Sequence, residues 1–122
     1  MRRWIPILCC LLFLGCGKTA PTLAGGKPVS HWVQALHDPN VKIRKEAALK
    51  LGNVGTADPA AIPALIEALK DRDASVRSEA ILGLVKSGPD AAAARPALED
   101  LQKNDRDTKV RSYAARGLEK IR

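Results

Sequence analysis

Apolar residues recur along this chain at intervals of three and four positions, in three blocks that lie 33 and 34 residues apart. In each block an apolar residue is followed by an Ala four positions later and a Leu eight positions later, a spacing that lines one face of an α-helix. These positions are Ile43, Ala47 and Leu51; Val76, Ala80 and Leu84; and Val110, Ala114 and Leu118.

A shorter apolar stretch with the same spacing precedes each block. Pro63 and Pro96 lie near the starts of the second and third stretches, where a missing backbone N–H costs little. Gly55 and Gly88 follow the first two blocks, where residues that end helices are expected. The pattern predicts an all-α fold, a short α-solenoid of about three helix-turn-helix repeats. The apolar stretches are Trp32, Val33 and Leu36; Ile62, Leu65, Ile66 and Leu69; and Ala94, Ala97, Leu98 and Leu101.

Each predicted turn carries the motif D-x-[D/N]-x-x-[I/V]-R, written DPNVKIR, DRDASVR and DRDTKVR. Its third position is predicted to cap the second helix, which contributes about 1 kcal/mol. Its first Asp lies in the turn, where it can bond nearby backbone N–H groups. Its Arg can reach a turn Asp of its own or an adjacent repeat with paired hydrogen bonds. The turn acids are Asp38, Asp71 and Asp105, the caps Asn40, Asp73 and Asp107, and the arginines Arg44, Arg77 and Arg111.

These motif residues resemble HEAT repeats, in particular the short HEAT-like units of phycobilisome lyases. The resemblance covers residues 29–122, with repeats at about 29–55, 56–88 and 89–122, and it implies a ladder of turn Asp and helix Arg between neighbouring repeats. The first repeat lacks the Pro-Ala-Leu of the other two, and the third has one extra residue. Ankyrin and tetratricopeptide repeats share the period, but their signatures are missing.

The amino terminus has the layout of a secretory signal peptide. Arg2 and Arg3 precede an apolar run of 11 residues, 4–14, which is shorter than the about 20 that a membrane-spanning helix needs. Phe13-Leu14-Gly15-Cys16 resembles a bacterial lipobox, although Leu is usual at the position of Phe13. The resemblance implies that residues 1–15 are removed and that Cys16 is lipidated, so we expect an exported bacterial protein anchored on the periplasmic or extracellular side. Cleavage after Ala24 and a permanent transmembrane anchor are the alternatives.

The cysteines and the following segment fit this interpretation. All three cysteines, Cys9, Cys10 and Cys16, lie before the repeats, so no disulfide is expected within them. Residues 16–28 are rich in Gly and Pro and are predicted to form a flexible tether.

Charge adds a candidate interaction surface. The formal net charge is +7, and loss of Arg2 and Arg3 would leave +5. Basic residues recur on the second helices, which line the concave side of HEAT arrays. Nucleic-acid binding by this basic face is an alternative, but Glu46, Glu79 and Glu119 interrupt it and export argues against it. The candidate surface residues are Lys42, Lys45, Lys109, Tyr113, Arg116 and Lys120.

The last helix carries apolar residues with no polar capping repeat after them, so its end is a second candidate contact surface. The apolar residues of this helix are Val110, Tyr113, Leu118 and Ile121, and some of them are expected to be left uncovered there.

Candidate chemistry is sparse. The D-x-[D/N] motif opens a calcium-binding EF-hand loop, but counting from Asp71 the required Gly and Glu positions hold Val76 and Leu82. His31 and His37 lie six residues apart and do not share a face as a metal-binding pair would. No catalytic motif is present, so we predict no enzyme activity, metal, cofactor or small-molecule substrate.

The predicted function is a lipid-anchored scaffold or adaptor that binds an unknown protein partner through its concave or terminal surface. An accessory subunit of a lyase-type or other enzyme is one alternative, since phycobilisome lyases attach bilin pigments. Anion or nucleic-acid binding by the basic face is the other.

Overall fold

A computed structural model describes residues 20–122. The helices in this part of the chain form three pairs joined by tight turns, which confirms the predicted all-α solenoid. The predicted signal peptide and Cys16 lie outside the described residues. The pairs are α1 (Val29–Ala35) with α2 (Val41–Val54), α3 (Ala61–Ala68) with α4 (Ala74–Ser87), and α5 (Arg95–Asn104) with α6 (Thr108–Lys120); the 3₁₀ segments Gly55–Ala57 and Gly88–Ala94 link them.

The first and last residues of the second helices, α2, α4 and α6, are set by local chemistry. The side chains of Asn40, Asp73 and Asp107 accept hydrogen bonds from backbone N–H groups two residues ahead, at 2.9, 2.8 and 2.8 Å. Helices α2 and α4 end at Gly55 and Gly88, whose φ angles of +54° and +59° favour glycine. Each second helix therefore begins at its motif cap, and the first two end at a glycine.

The second helices form the tightly packed layer of the solenoid. Helix α2 packs along α4 and α4 along α6, whereas α1 and α3 touch sparsely. A Cβ atom placed on Gly52 would lie 2.7 Å from the Cα atom of Gly83, so the backbones of α2 and α4 are in direct contact. Because this layer is the closer packed of the two, it forms the inner side of the array. Fully buried large side chains between the layers include Leu51, Leu65, Ile81, Leu84 and Leu98.

A small β-hairpin precedes the first helix pair. Strand β1 (Leu23–Ala24) pairs antiparallel with β2 (Lys27–Pro28), and Gly25 and Gly26 make the turn with positive φ angles. The prediction of a flexible tether over 16–28 is therefore wrong for 23–28. The physical reason is Trp32, whose buried indole Nε1 donates to the carbonyl of Ala24 at 2.7 Å and holds the hairpin against α1.

Ile43 departs from the predicted apolar stripe. It is 38% exposed, while the equivalent Val76 and Val110 are fully buried. Val76 lies seven residues before Gly83, on the side of α4 that faces α2. In the part of the chain that the structure describes, no helix pair stands in front of α2 to cover Ile43 in the same way.

The end face of the third repeat carries several polar residues, whereas the apolar Tyr113 and Leu118 of its last helix are half-buried. Glu119 of α6 occupies the position equivalent to Val85 of α4, which packs near Gly117. Glu119 is exposed. Val110 and Ile121 are buried, and Leu118 is half-buried. On the first helices, Ile62 and Ile66 of α3 are replaced in α5 by Arg95 and Glu99.

Candidate functional site

The motif arginines join neighbouring repeats. Arg44 donates from Nε and Nη2 to the carboxylate of Asp71 at 2.9 and 3.3 Å, and from Nη1 to the carbonyl of Asp38 at 2.9 Å. Arg77 does the same with the carboxylate of Asp105, at 2.8 Å for both bonds, and with the carbonyl of Asp71 at 2.8 Å. Each guanidinium thus binds its own turn and the turn of the next repeat, and we call these two pairs the rungs.

The turn aspartates are organised around the rungs. Each accepts a hydrogen bond from the backbone N–H two residues ahead, at 2.8–2.9 Å. Burial alone would raise the pKa of Asp105, but hydrogen bonds from Arg77 and from the Asp107 backbone, with the charge of Arg77, outweigh it and hold that pKa below its ordinary value. The hydrogen bond from the Ser75 side chain is the main reason that the pKa of the cap Asp73 is lowered.

The ladder has two rungs and two unmatched ends. Arg111 donates to the carbonyl of Asp105 and to Thr108 Oγ1 at 2.6 and 3.1 Å, but it meets no carboxylate within residues 20–122. The carboxylate of Asp38 accepts from the Asn40 backbone and has no guanidinium partner in the same range. Five of the six motif residues border two surface cavities of about 430 and 400 Å³. The rung side chains among them are already held by the hydrogen bonds described above.

The exposed side of the second helices forms a second arrangement, which we call the inner face. Leu49 of α2 and Leu82 of α4 occupy equivalent positions and are each 40% exposed. Between α4 and α6 lies a groove of about 420 Å³, which Lys45 of α2 also borders. Leu49 and Leu82 were not predicted as surface residues, although two leucines 33 residues apart beside the buried stripe are a signal in the sequence. The groove is lined by Lys45, Ala74, Ser75, Ser78, Glu79, Leu82, Asp107, Lys109 and Tyr113.

The second helices, whose exposed sides form the inner face, are mainly basic. Setting aside the rung arginines, Arg111 and Lys50, helices α2, α4 and α6 carry six basic side chains and three acidic ones, Glu46, Glu79 and Glu119. The basic groups predicted to form the surface are exposed, and they make no side-chain hydrogen bond or ion pair with any of residues 20–122. The first helices carry two basic and three acidic residues. The six basic residues are Lys42, Lys45, Lys86, Lys109, Arg116 and Lys120.

The remaining candidates have local roles. Trp32 is 5% exposed, and the ammonium groups of Lys27 and Lys50 lie 5.5 and 5.9 Å from its ring centroid. His31 meets the Trp32 ring edge-on, at 4.9 Å between centroids, and His37 is exposed just after α1. Over the same described range, no three His, Cys, Asp or Glu side chains lie close enough to share a metal ion.

Three stacked helix pairs with a periodic turn motif define an α-solenoid repeat protein. The family model described as HEAT repeats matches residues 29–119, and the chain belongs to this family. HEAT repeats typically mediate protein–protein interaction. A search of the curated proteins found no match to the chain. Within residues 20–122, every helix is too short or too polar to cross a membrane.

Proposed function

We propose that this protein is a lipid-anchored HEAT-repeat scaffold that binds another protein through its inner face and performs no chemistry itself. The observation that carries the proposal is the pair of exposed leucines, Leu49 and Leu82, which occupy equivalent positions on adjacent helices. Leu82 also lines the groove between α4 and α6. Exposed apolar residues that cluster rather than scatter are typical of interaction sites.

The rigidity of the scaffold supports a binding role. The inner face is built on helices whose relative positions are fixed by the rungs and by the contact of Gly52 with Gly83. A surface that is already ordered loses little conformational freedom when a partner binds, so more of the contact energy appears as affinity.

The lipid anchor is proposed from the sequence alone. Cys16 precedes the first described residue, Ala20, by four positions. A lipid at Cys16 would hold the hairpin end of the solenoid close to the membrane. Incorporation of a labelled fatty acid tests this step, and we expect it to be lost in Cys16→Ser. Equal labelling of the variant would refute the anchor without affecting the inner-face proposal.

Site-specific photo-crosslinking in native membranes tests the inner face. A photoreactive residue at Leu82 is compared with one at Lys103, which is exposed on α5. We expect Leu82 to capture a defined protein that Lys103 does not, and the purified protein to bind the chain directly. The same captures from both positions, or none from Leu82, would contradict the proposal.

Nucleic-acid binding is the competing candidate because the second helices carry six basic side chains besides the rung arginines, Arg111 and Lys50. The three glutamates on the same helices weaken it. A basic nucleic-acid site loses affinity steeply as salt rises and is not sensitive to the loss of a leucine.

A further inference from the structure

We propose that the segment seated on the inner face is an acidic amphipathic helix of the partner protein. The inference rests on the proposed function and names the chemistry of the partner. It follows from the arrangement of the apolar residues and from the charges that surround them.

The apolar residues form a line that crosses the second helices. Leu49 and Leu82 occupy the same position on α2 and α4, where α6 has Arg116. Tyr113 lies about one turn before Arg116 and borders the groove on the α6 side, where it continues the line. Packed helices lie about 8–10 Å apart. Two turns of an α-helix span about 10.5 Å. A helix laid across the array can therefore place apolar residues at i and i+7 against neighbouring positions of this line.

The charges on both sides of the line select an acidic segment. Lys45 and Lys109 border the groove at the first turns of the second helices. Arg116 and Lys120 are exposed on the second half of α6. With no ion pairs to residues 20–122, these cations are free to pair with carboxylates of a bound segment.

The glutamates on the second helices favour a peptide over a nucleic acid as the bound partner. Glu79 lines the groove, and Glu46 is exposed on α2. A nucleic-acid backbone carries phosphates at fixed, close intervals, so it would bring negative charge against these carboxylates. A peptide can place its acidic residues opposite the cations and its apolar residues opposite Leu49 and Leu82.

Fluorescence anisotropy with the full chain in detergent tests the proposal. The probes are a helical peptide of Glu and Leu with leucines at i, i+3 and i+7, a peptide in which Lys replaces each Glu, and a single-stranded oligonucleotide. We expect the acidic peptide to bind at least about tenfold more tightly than the other two, with affinity falling as salt increases.

Matched variants locate the binding site. Leu82→Glu and the double variant Lys45→Glu with Lys109→Glu are each expected to weaken binding of the acidic peptide by at least about tenfold. The controls are Leu23→Glu, at a leucine that is 59% exposed on the hairpin, and Lys70→Glu with Lys103→Glu on the other side of the array. Both controls should bind like the unaltered chain. Circular dichroism checks each fold, and Leu82→Ser replaces Leu82→Glu if the latter unfolds.

Several results would overturn the inference. They are equal binding of the acidic and basic peptides, equal losses in the control variants, and tighter binding of the oligonucleotide with dependence on Lys45 and Lys109. If the protein captured through Leu82 binds independently of salt and of these lysines, the acidic-helix inference fails while the proposed function stands.

Discussion

A single arginine side chain makes two connections at each rung. The guanidinium of Arg77 ties down the carbonyl of Asp71 in its own turn and holds the carboxylate of Asp105 in the next repeat. This requires a planar group with several donors in fixed directions, which lysine does not supply. The rungs are therefore sites where Arg→Lys is not a conservative change.

Arg77→Ala is predicted to destabilise the fold by about 3 kcal/mol, because it leaves a nearly buried carboxylate without its partner. The Asp105 side chain is only 4% exposed. Arg111→Ala is the matched comparison. It removes bonds to carbonyl and hydroxyl groups only, and we expect a loss of about 1 kcal/mol. Urea unfolding followed by circular dichroism measures both, and equal losses would show that the rungs add nothing beyond the turn contacts.

Acid should weaken the second rung. Because the folded-state pKa of Asp105 lies below the ordinary value of 3.8, its stabilising contribution is present above that value and is lost as pH falls through the folded-state pKa. Urea midpoints measured between about pH 5 and pH 2 should therefore fall less steeply in Asp105→Asn than in the unaltered chain. An unchanged slope would mean that Asp105 does not contribute to acid unfolding.

Residue roles were predictable from the sequence where the contact is local. The caps Asn40, Asp73 and Asp107 act on backbone groups two residues ahead, so spacing alone places them. The bond from Arg44 to Asp71 of the next repeat spans 27 residues. Residue spacing alone did not distinguish it from a bond to the turn of its own repeat. The exposure of Ile43 depends on what stands in front of α2, which no local pattern encodes.

At the scale of elements, helix spacing is set by small residues. Gly52 and Gly83 meet across α2 and α4, whereas α4 and α6 meet through Val85 and Gly117. The first contact brings two backbones together, and the second interposes a side chain. From the sequence, glycines were predicted only to end helices, because a glycine inside a helix gives no local signal of a close helix crossing.

Gly52→Ala is predicted to destabilise the protein by about 2 kcal/mol, since its new Cβ would overlap the Gly83 backbone and force the helices apart. An Ala for Gly exchange inside an unhindered helix would instead stabilise by about 0.5–1 kcal/mol. Gly117→Ala is the control, because its new Cβ would lie 3.3 Å from the Cγ2 methyl of Val85. Thermal unfolding of the two variants compares them, and equal shifts would contradict the proposed backbone contact.

The hairpin is the element that the sequence analysis missed. Gly25 and Gly26 are typical of both a flexible linker and a tight hairpin turn. What decides between them is Trp32, eight residues after Ala24, whose indole N–H needs a buried acceptor. Composition therefore indicated a tether, and a tertiary contact made part of it a strand pair.

At the scale of the whole molecule, the two end faces of the stack carry different residues from the contacts between repeats. Lys50 of α2 occupies the position that is a glycine in the other two repeats, Gly83 and Gly117. Its side chain lies against Trp32 and Gly25. Glu119 of α6 occupies the position held by Gly52 in α2 and by Val85 in α4, which both lie at contacts between repeats. The three-repeat architecture was predictable because each repeat repeats the same local rules. The character of its ends was not, since it depends on departures from those rules.

Lys50 and Glu119 on the two end faces predict that the solenoid does not stack end to end. A chain beginning at Gly17, which lacks the proposed lipid site, should sediment as a monomer over a wide concentration range. Replacing Glu99→Ile and Glu119→Val restores the residues found at the equivalent positions of the second repeat, Ile66 and Val85, and should promote association. Dimers of the unaltered chain that break up in Glu119→Arg would contradict this prediction.

The one-way direction of the rungs has a consequence for how such a chain can lengthen. The middle repeat, 56–88, supplies the carboxylate Asp71 to the repeat before it and the guanidinium Arg77 to the repeat after it. Its helix α4 places Gly83 against α2 of the repeat before it and Val85 against α6 of the repeat after it. A tandem duplication of this unit would gain a matched pair at its new junction, while copies of either flanking repeat would insert Lys50 or Glu119 into the interior. Growth of this protein by gene duplication would therefore proceed from the centre.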